Sequence, residues 1–249
     1  MSDIKKDTYN EVIIVDDLVT SLQGEWKFSK QVADVFDSHV RKSVPIYDDM
    51  QNMVLDMSEW FVKDNSTIFD LGSSTGKTLN LLSNRHKNKN NIQYIGLDNS
   101  VSMVEKAIEN RVNNNIEFKH QDITNMKDFK KSSLVLSLYT LQFMTLNDRY
   151  KVLKKVYDDL EHGGGFIIAE KVHGESSFFE DIWIELYWDM KKKNGLSDDA
   201  ILNKARSLRG VLRPLSFSEN INILKEVGFK DIDIFMKWYN FAGFIAVKK

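Results

Sequence analysis

The stretch Phe69–Leu79 reads FDLGSSTGKTL, and the meaning of its two glycines decides the fold. Its Gly-Lys-Thr end invites comparison with the phosphate loop G-x-x-x-x-G-K-[ST], whose successive backbone N–H groups curl around a phosphate. That loop needs a glycine at position 71, where this chain has Leu71, and Gly72 comes one step too late. The stretch reads instead as a buried strand (TIFDL, 67–71), a glycine turn and a helix over 76–84. The same alternation follows it. IQYIGLD (92–98) is a strand before a helix at 101–109, and IEFKHQD (116–122) is a third strand. SLVLSLY (133–139) precedes a helix at 147–161, and GGFIIAEK (164–171) is a fifth strand. Strands and helices at this pitch predict a parallel sheet wound by right-handed crossovers.

The ends differ from this middle. DIDIFMKWY (231–239) and FAGFIAVKK (241–249) leave no room for a crossover helix, so they form an antiparallel hairpin. Residues 175–213 are a mostly helical insertion carrying Trp183, Tyr187 and Trp188, and a further helix over 216–227 stops at Gly228. Residues 1–65 are expected to form a helical cap. Val32, Val35, Phe36 and Val40 recur at helical spacing, Ser-Val-Pro (43–45) breaks the run, and Tyr47, Met50, Val54, Leu55 and Met57 resume it. With only Pro45 and Pro214 as prolines and no Gly/Ser linker, the 249 residues form one domain. Its parts are a cap (1–65), a core (66–174), an insertion (175–215) and a C-terminal helix and hairpin (216–249).

Composition excludes several classes. The absence of cysteine rules out disulfides, thiolate metal sites and a cysteine nucleophile. A net charge of −2 with acids and bases mixed throughout gives no bulk attraction to nucleic acid or to membranes. The start MSDIKKDTYN has no apolar signal core, and no apolar run approaches a membrane span, so a cytoplasmic protein is expected. His39, His86, His120 and His162 show no ligand spacing, and no metal is expected.

A parallel sheet closed by an antiparallel hairpin resembles the class I S-adenosylmethionine-dependent methyltransferases, a Rossmann-like seven-stranded α/β fold. Their first loop, [DE]-x-G-x-x-x-G, matches Asp70-Leu71-Gly72-Ser73-Ser74-Thr75-Gly76. Gly72 is then needed because a Cβ would collide with the ligand, Gly76 lets the helix pack on the strand, and Lys77 is a surface lysine. Asp98, at the next strand end, can accept both ribose hydroxyls, and Asp122 can take the adenine amino group while Ile123 stacks on the ring. The competing reading makes Asp98 and Asp122 simple helix caps.

RKSVPIYDDM, GLDNSVSMVEKA, YTLQFM, GGGFIIAEKV, MKKKNGLSDDAI and WYNFAGFIAVKK, with the opening stretch, resemble the carboxy-S-adenosylmethionine synthase family from about Val32 to the C-terminus. That family keeps the methyltransferase fold but converts S-adenosylmethionine, with prephenate, into a carboxylated sulfonium used on tRNA wobble uridine. The resemblance implies cofactor contacts from Tyr47, Gly72, Ser73, Ser74, Asp98, Asn99, Asp122 and Ile123, and it implies a homodimer. Two positions depart. Leu138 stands where the family has an asparagine of the cofactor site, and Ala205 stands where it has a carboxylate-binding arginine, with Arg206 next door.

Acceptor-site candidates line the ends of the fourth and fifth strands: Tyr139, Gln142 and His173 as catalytic groups and Glu170 as a substrate contact. His173 reads either as a base or as a loop histidine. Trp183, Tyr187 and Trp188 read as lid packing, a pocket wall or a dimer contact. Arg206, Arg209 and Arg213 recur at helical spacing and suit an anionic substrate. The function expected first is methyl transfer to a small anionic molecule. The alternative is chemistry on the cofactor itself, as carboxy-S-adenosylmethionine synthesis or an intramolecular reaction. A third reading is a silent cofactor-binding partner protein.

Overall fold

The computed structural model describes residues 13–16, 19–21, 28–129 and 131–249. Helix α1 (Lys30–Ser43) starts at Ser29, whose hydroxyl accepts the Val32 N–H, and stops before Pro45. Helix α2 (Tyr47–Ser58) follows, and the two bury Val32, Val40, Met50 and Val54 as their spacing predicts. Ahead of them lies a finding that the helical expectation for 1–65 missed. β1 (Ile13–Asp16) and β2 (Val19–Ser21) pair antiparallel. The β-branched run VIIVDDLVT was the available signal. The rest of the expectation for residues 1–27 lies outside the described residues.

The core alternates as expected: β3 (Thr67–Leu71), α3 (Lys77–Arg85), β4 (Gln93–Asp98), α4 (Val101–Glu109), β5 (Ile116–His120), β6 (Ser132–Leu138), α5 (Leu146–Asp159) and β7 (Leu160–His173). The insertion supplies α6 (Ser177–Lys193), α7 (Asp198–Ser207) and a short β8 (Leu215–Ser216). α8 (Phe217–Val227), opened by a Ser216–Glu219 capping box, leads into β9 (Asp231–Trp238) and β10 (Phe241–Val247).

The strand order is β5-β4-β3-β6-β7-β10-β9, with β8 added parallel to the end of β7. Pairing is parallel from β5 to β7 and antiparallel at β10 with both neighbours, the hairpin that the short 239–240 connection requires. Continuous apolar strands such as β6, buried from Ser132 to Ser137, reflect helices covering both faces. The order reverses beside β3, whose neighbours are β4 and β6. At such a switch point the crossovers diverge to opposite faces, leaving a crevice at the carboxyl ends of the strands.

Candidate cofactor site

The crevice is a cavity of about 690 Å³, within the range of sites that enclose a small organic ligand. Among the predicted cofactor residues, Tyr47, Asp70, Gly72, Ser73, Ser74, Asp98, Asn99, Asp122, Ile123 and Leu138 all line it, and so does Tyr139. The glycine turn is tied to the next strand, with the Gly72 and Ser73 N–H groups both donating to the Leu97 carbonyl (2.7 and 2.9 Å). Gly72 has φ +80°, and a Cβ there would lie 2.2 Å from Thr140 Oγ1. The structure therefore adds two reasons for the glycine beside the expected ligand collision: its backbone conformation and the Thr140 side chain. Gly76 lies off the wall, where a Cβ would meet Phe118 at 2.5 Å, the helix-on-sheet packing the pattern predicts.

Asp98 is more than a helix cap. Its Oδ2 accepts the Ser74 N–H and its Oδ1 the Ser100 N–H, each at 2.9 Å, binding the glycine turn to the β4–α4 connection. Burial raises its pKa while these two N–H groups counter the rise. Each oxygen keeps a lone pair for a ligand hydroxyl. Asp122 is also partly engaged: it caps the following turn, accepting from Thr124 and Asn125. Lys77 is not a free surface lysine, since its ammonium pairs with Asp48 at 3.0 Å and lies 4.8 Å from the Tyr47 ring centroid. It holds Tyr47 against the cavity.

Asp70 is 2% exposed, and no protein donor among the described residues reaches its carboxylate. Burial, and behind it the charge of Asp98, pushes its pKa up to about 7. The Ser73 hydroxyl is likewise sealed without a partner. An unpaired buried carboxylate and a carboxylate with spare lone pairs on one wall suit a ligand with a cationic end and a ribose. S-Adenosylmethionine fits this donor set. Asp70 would face its cationic groups, Asp98 and Asn99 its ribose, and Asp122 and Ile123 its adenine. Leu138 adds only apolar contact.

The acceptor-side predictions fare differently. Tyr139 is on the wall, in the left-handed region (φ 62°), with its hydroxyl buried and unpartnered and its pKa raised by burial. Gln142 is off the wall and fully committed. Its Nε2 donates to the Tyr139 carbonyl and its Oε1 accepts the Lys171 N–H, so it clamps the ends of β6 and β7. Glu170 is buried beneath the same loop, accepting the Leu141 N–H at 3.0 Å, and burial raises its pKa to about 8. His173 is held between Glu219 (3.1 Å) and the Gly174 carbonyl (2.9 Å), away from the cavity. Trp183 stacks on Phe179, and Tyr187 is buried against Phe241.

The arginines are also re-sorted. Helix α7 ends at Ser207, so Arg206, Arg209 and Arg213 do not share a helical face. Arg206 stays off the cavity wall, and Arg213 is, among the described residues, its one basic side chain. Its backbone is pinned: the Arg213 N–H donates to the Gln142 carbonyl (2.6 Å), and its own carbonyl accepts from buried Arg149 (2.8 Å). Sequence reasoning passed over this because the link joins residues far apart in the chain.

Sheet order, switch-point cavity and donor set together define an S-adenosylmethionine-dependent enzyme of the methyltransferase fold. A family model described as a methyltransferase domain matches residues 62–243, and the chain belongs to that family, in the branch of its carboxy-S-adenosyl-L-methionine synthase relatives. The protein of that name from Staphylococcus epidermidis is 42% identical over 225 residues, covering 90% of this chain and 97% of its own. The one from Nautilia profundicola is 38% identical over 230 residues, covering 91% and 96%. Solved structures with the same fold include an O-methyltransferase family protein from Burkholderia thailandensis (TM-score 0.63, 12% identity, 89% of this chain and 60% of that one). Human N-acetylserotonin methyltransferase in complex with S-adenosylmethionine is another (TM-score 0.59, 12% identity, 88% and 55%). No helix among the described residues is long and apolar enough to cross a membrane.

Proposed function

We propose that this protein transforms S-adenosylmethionine itself into its carboxylated derivative, the product its relatives are named for, and does not deliver a methyl group to an acceptor. The observation that carries this reading is similarity to synthases along nearly the whole of both chains, insertion included. It favours the alternative above the methyl transfer expected first. When bound, the cofactor supplies a sulfonium that acidifies its methyl C–H bonds, so that carbon can lose a proton and take up the carboxyl group from a carboxyl donor. The chain's own residues bind and orient: Asp70 balances positive charge and Asp98 fixes the ribose end.

Arg213 supports the same reading. A carboxylate brought into a partly enclosed site needs a cation to offset its desolvation, and a guanidinium does this with directed hydrogen bonds. Arg206 is off the wall, while Arg213 is on it with no carboxylate within ion-pair distance among the described residues. The test is mass spectrometry of small molecules released from the purified, denatured protein. A carboxylated sulfonium supports the reading; S-adenosylmethionine alone, together with methylation of an added acceptor, sinks it. A homodimer working in the cytoplasm belongs to the same reading, and sedimentation of the purified chain tests the first part.

A further inference from the structure

Behind the cavity wall sits one buried cation that the cofactor contacts do not use. Arg149, in the first turn of α5, is 2% exposed. Its Nη2 donates to two main-chain carbonyls, Leu141 at 2.9 Å and Arg213 at 2.8 Å. Its Nε has no partner, and among the described residues no carboxylate lies within ion-pair distance of it. Glu170 and Glu219 act on it only from further away, and Glu219 is engaged by His173. Taking a guanidinium out of water costs more than bonds to two neutral carbonyls return, and an apolar side chain would fill the same space without that cost. Packing alone does not account for the charge.

The two carbonyls belong to segments that meet only in the folded chain. Leu141 opens the short turn after Tyr139 and Thr140, both on the cavity wall. Its N–H is taken by Glu170 Oε1 at 3.0 Å and its carbonyl by Arg149, so the turn is gripped from both sides. Tyr139 is held there at φ 62°, a conformation costly for a bulky side chain. Arg213 lies 64 residues along the chain from Arg149. Its N–H donates to the Gln142 carbonyl, and among the described residues its carbonyl has no donor but Arg149. Pro214, next in the chain, narrows the backbone freedom of Arg213 further. Both main-chain polar groups of Arg213 are thus fixed by residues 142 and 149, and its side chain is left to meet a ligand.

We propose that Arg149 is a positioning residue that sets ligand selectivity: it fixes the main chain of Arg213, and the fixed guanidinium makes the cavity prefer a carboxylated sulfonium over S-adenosylmethionine. The inference rests on the reading of Arg213 as the cation that meets a carboxylate. An arginine on a loose segment loses main-chain as well as side-chain freedom when it grips a ligand; one whose main chain is already held loses less. A planar fork also has to stand in one place for its bonds to be directed. The test is calorimetric titration of the full chain with carboxy-S-adenosylmethionine and with S-adenosylmethionine. The quantity read is the ratio of the two dissociation constants, which cancels any loss common to both ligands. Arg213→Leu lowers the wild-type preference for the carboxylated ligand at least ~10-fold, Arg149→Met at least ~5-fold, and the double variant no further than Arg213→Leu alone.

Arg149→Lys, which keeps the buried charge but not the bridge between two carbonyls, carries the same test in a milder form. Hydrogen exchange gives a readout that needs no variant: in the cofactor-free wild type the Arg213 amide is protected at least ~100-fold. A merely structural Arg149 would weaken both ligands together and leave the ratio unchanged. An unchanged ratio in Arg149→Met, a double variant that loses more than Arg213→Leu, or a freely exchanging Arg213 amide each overturns the inference. The two readings fail in different ways. No preference in the wild type sinks the reading of Arg213 and this inference with it. A wild-type preference that Arg149→Met keeps sinks the inference alone.

Discussion

Asp70 makes cofactor binding depend on pH in a way that can be worked out in advance. Its carboxylate is buried on the cavity wall without a protein donor, and its pKa stands at about 7. A cationic ligand group beside it favours the ionised form, so the empty site must lose a proton before it binds well. With a pKa of 7, roughly three quarters of the empty sites are ionised at about pH 7.5 and roughly a tenth at about pH 6. S-Adenosylmethionine should therefore bind about eightfold more weakly at the lower pH, ~1.2 kcal/mol, and take close to one proton off the protein there. The sign for folding is the opposite. A raised carboxyl pKa gives the cofactor-free protein a stabilising contribution that is full below about pH 4 and lost as pH rises through about 7. Calorimetric titration in two buffers of different ionisation enthalpy measures both affinity and proton count. Asp70→Asn should bind more weakly and without this slope. Wild-type affinity constant within twofold across the window, or the same slope surviving in Asp70→Asn, would refute the reasoning.

Three further outcomes follow from the same geometry. Asp98→Ala removes the acceptor of the Ser74 and Ser100 N–H groups as well as the proposed ribose contact, so cofactor affinity should fall at least ~100-fold while far-UV circular dichroism is retained; unchanged affinity by calorimetry would break the cofactor assignment. Gly72→Ala sets a Cβ against Thr140 in a left-handed conformation and should cost about 1–3 kcal/mol in urea unfolding, with a neutral result showing that the turn relaxes freely. Glu170, buried with a pKa of about 8, makes the wild type less stable as pH rises towards and through that value. Glu170→Gln should flatten that decline in a thermal melt series, and a parallel decline in both proteins would place the titration elsewhere.

Parts of the structure were readable from short stretches because they depend on short-range chemistry. The strand-glycine-helix pattern at 67–79 and the acids Asp70, Asp98 and Asp122 at successive strand ends all reach the cavity. Each is a local feature, and the parallel winding of the sheet brings every strand's carboxyl end to the same edge. The paired β1 and β2 were legible too, in a β-branched run that a helical periodicity reading passed over.

Other features had no local signal. Helical spacing placed Arg206, Arg209 and Arg213 together, but α7 stops at Ser207 and a hydrogen bond to the Gln142 carbonyl carries Arg213 to the wall. Gln142, His173 and Glu170 have side chains suited to catalysis, yet the fold engages the first two fully and buries the third. Lys171 and Lys191 look like ordinary surface lysines in sequence; they become a pair only because α6 folds back over the end of β7 and sets one tyrosine between them. By itself the sequence determined the sheet and its order of strand-end acids, since backbone geometry repeats those from a local pattern, while the cofactor class came from its resemblance to a known family. Which side chains are spent on structure and which are left unpaired was decided only by tertiary packing, because burial and hydrogen-bond partners come from residues distant in the chain.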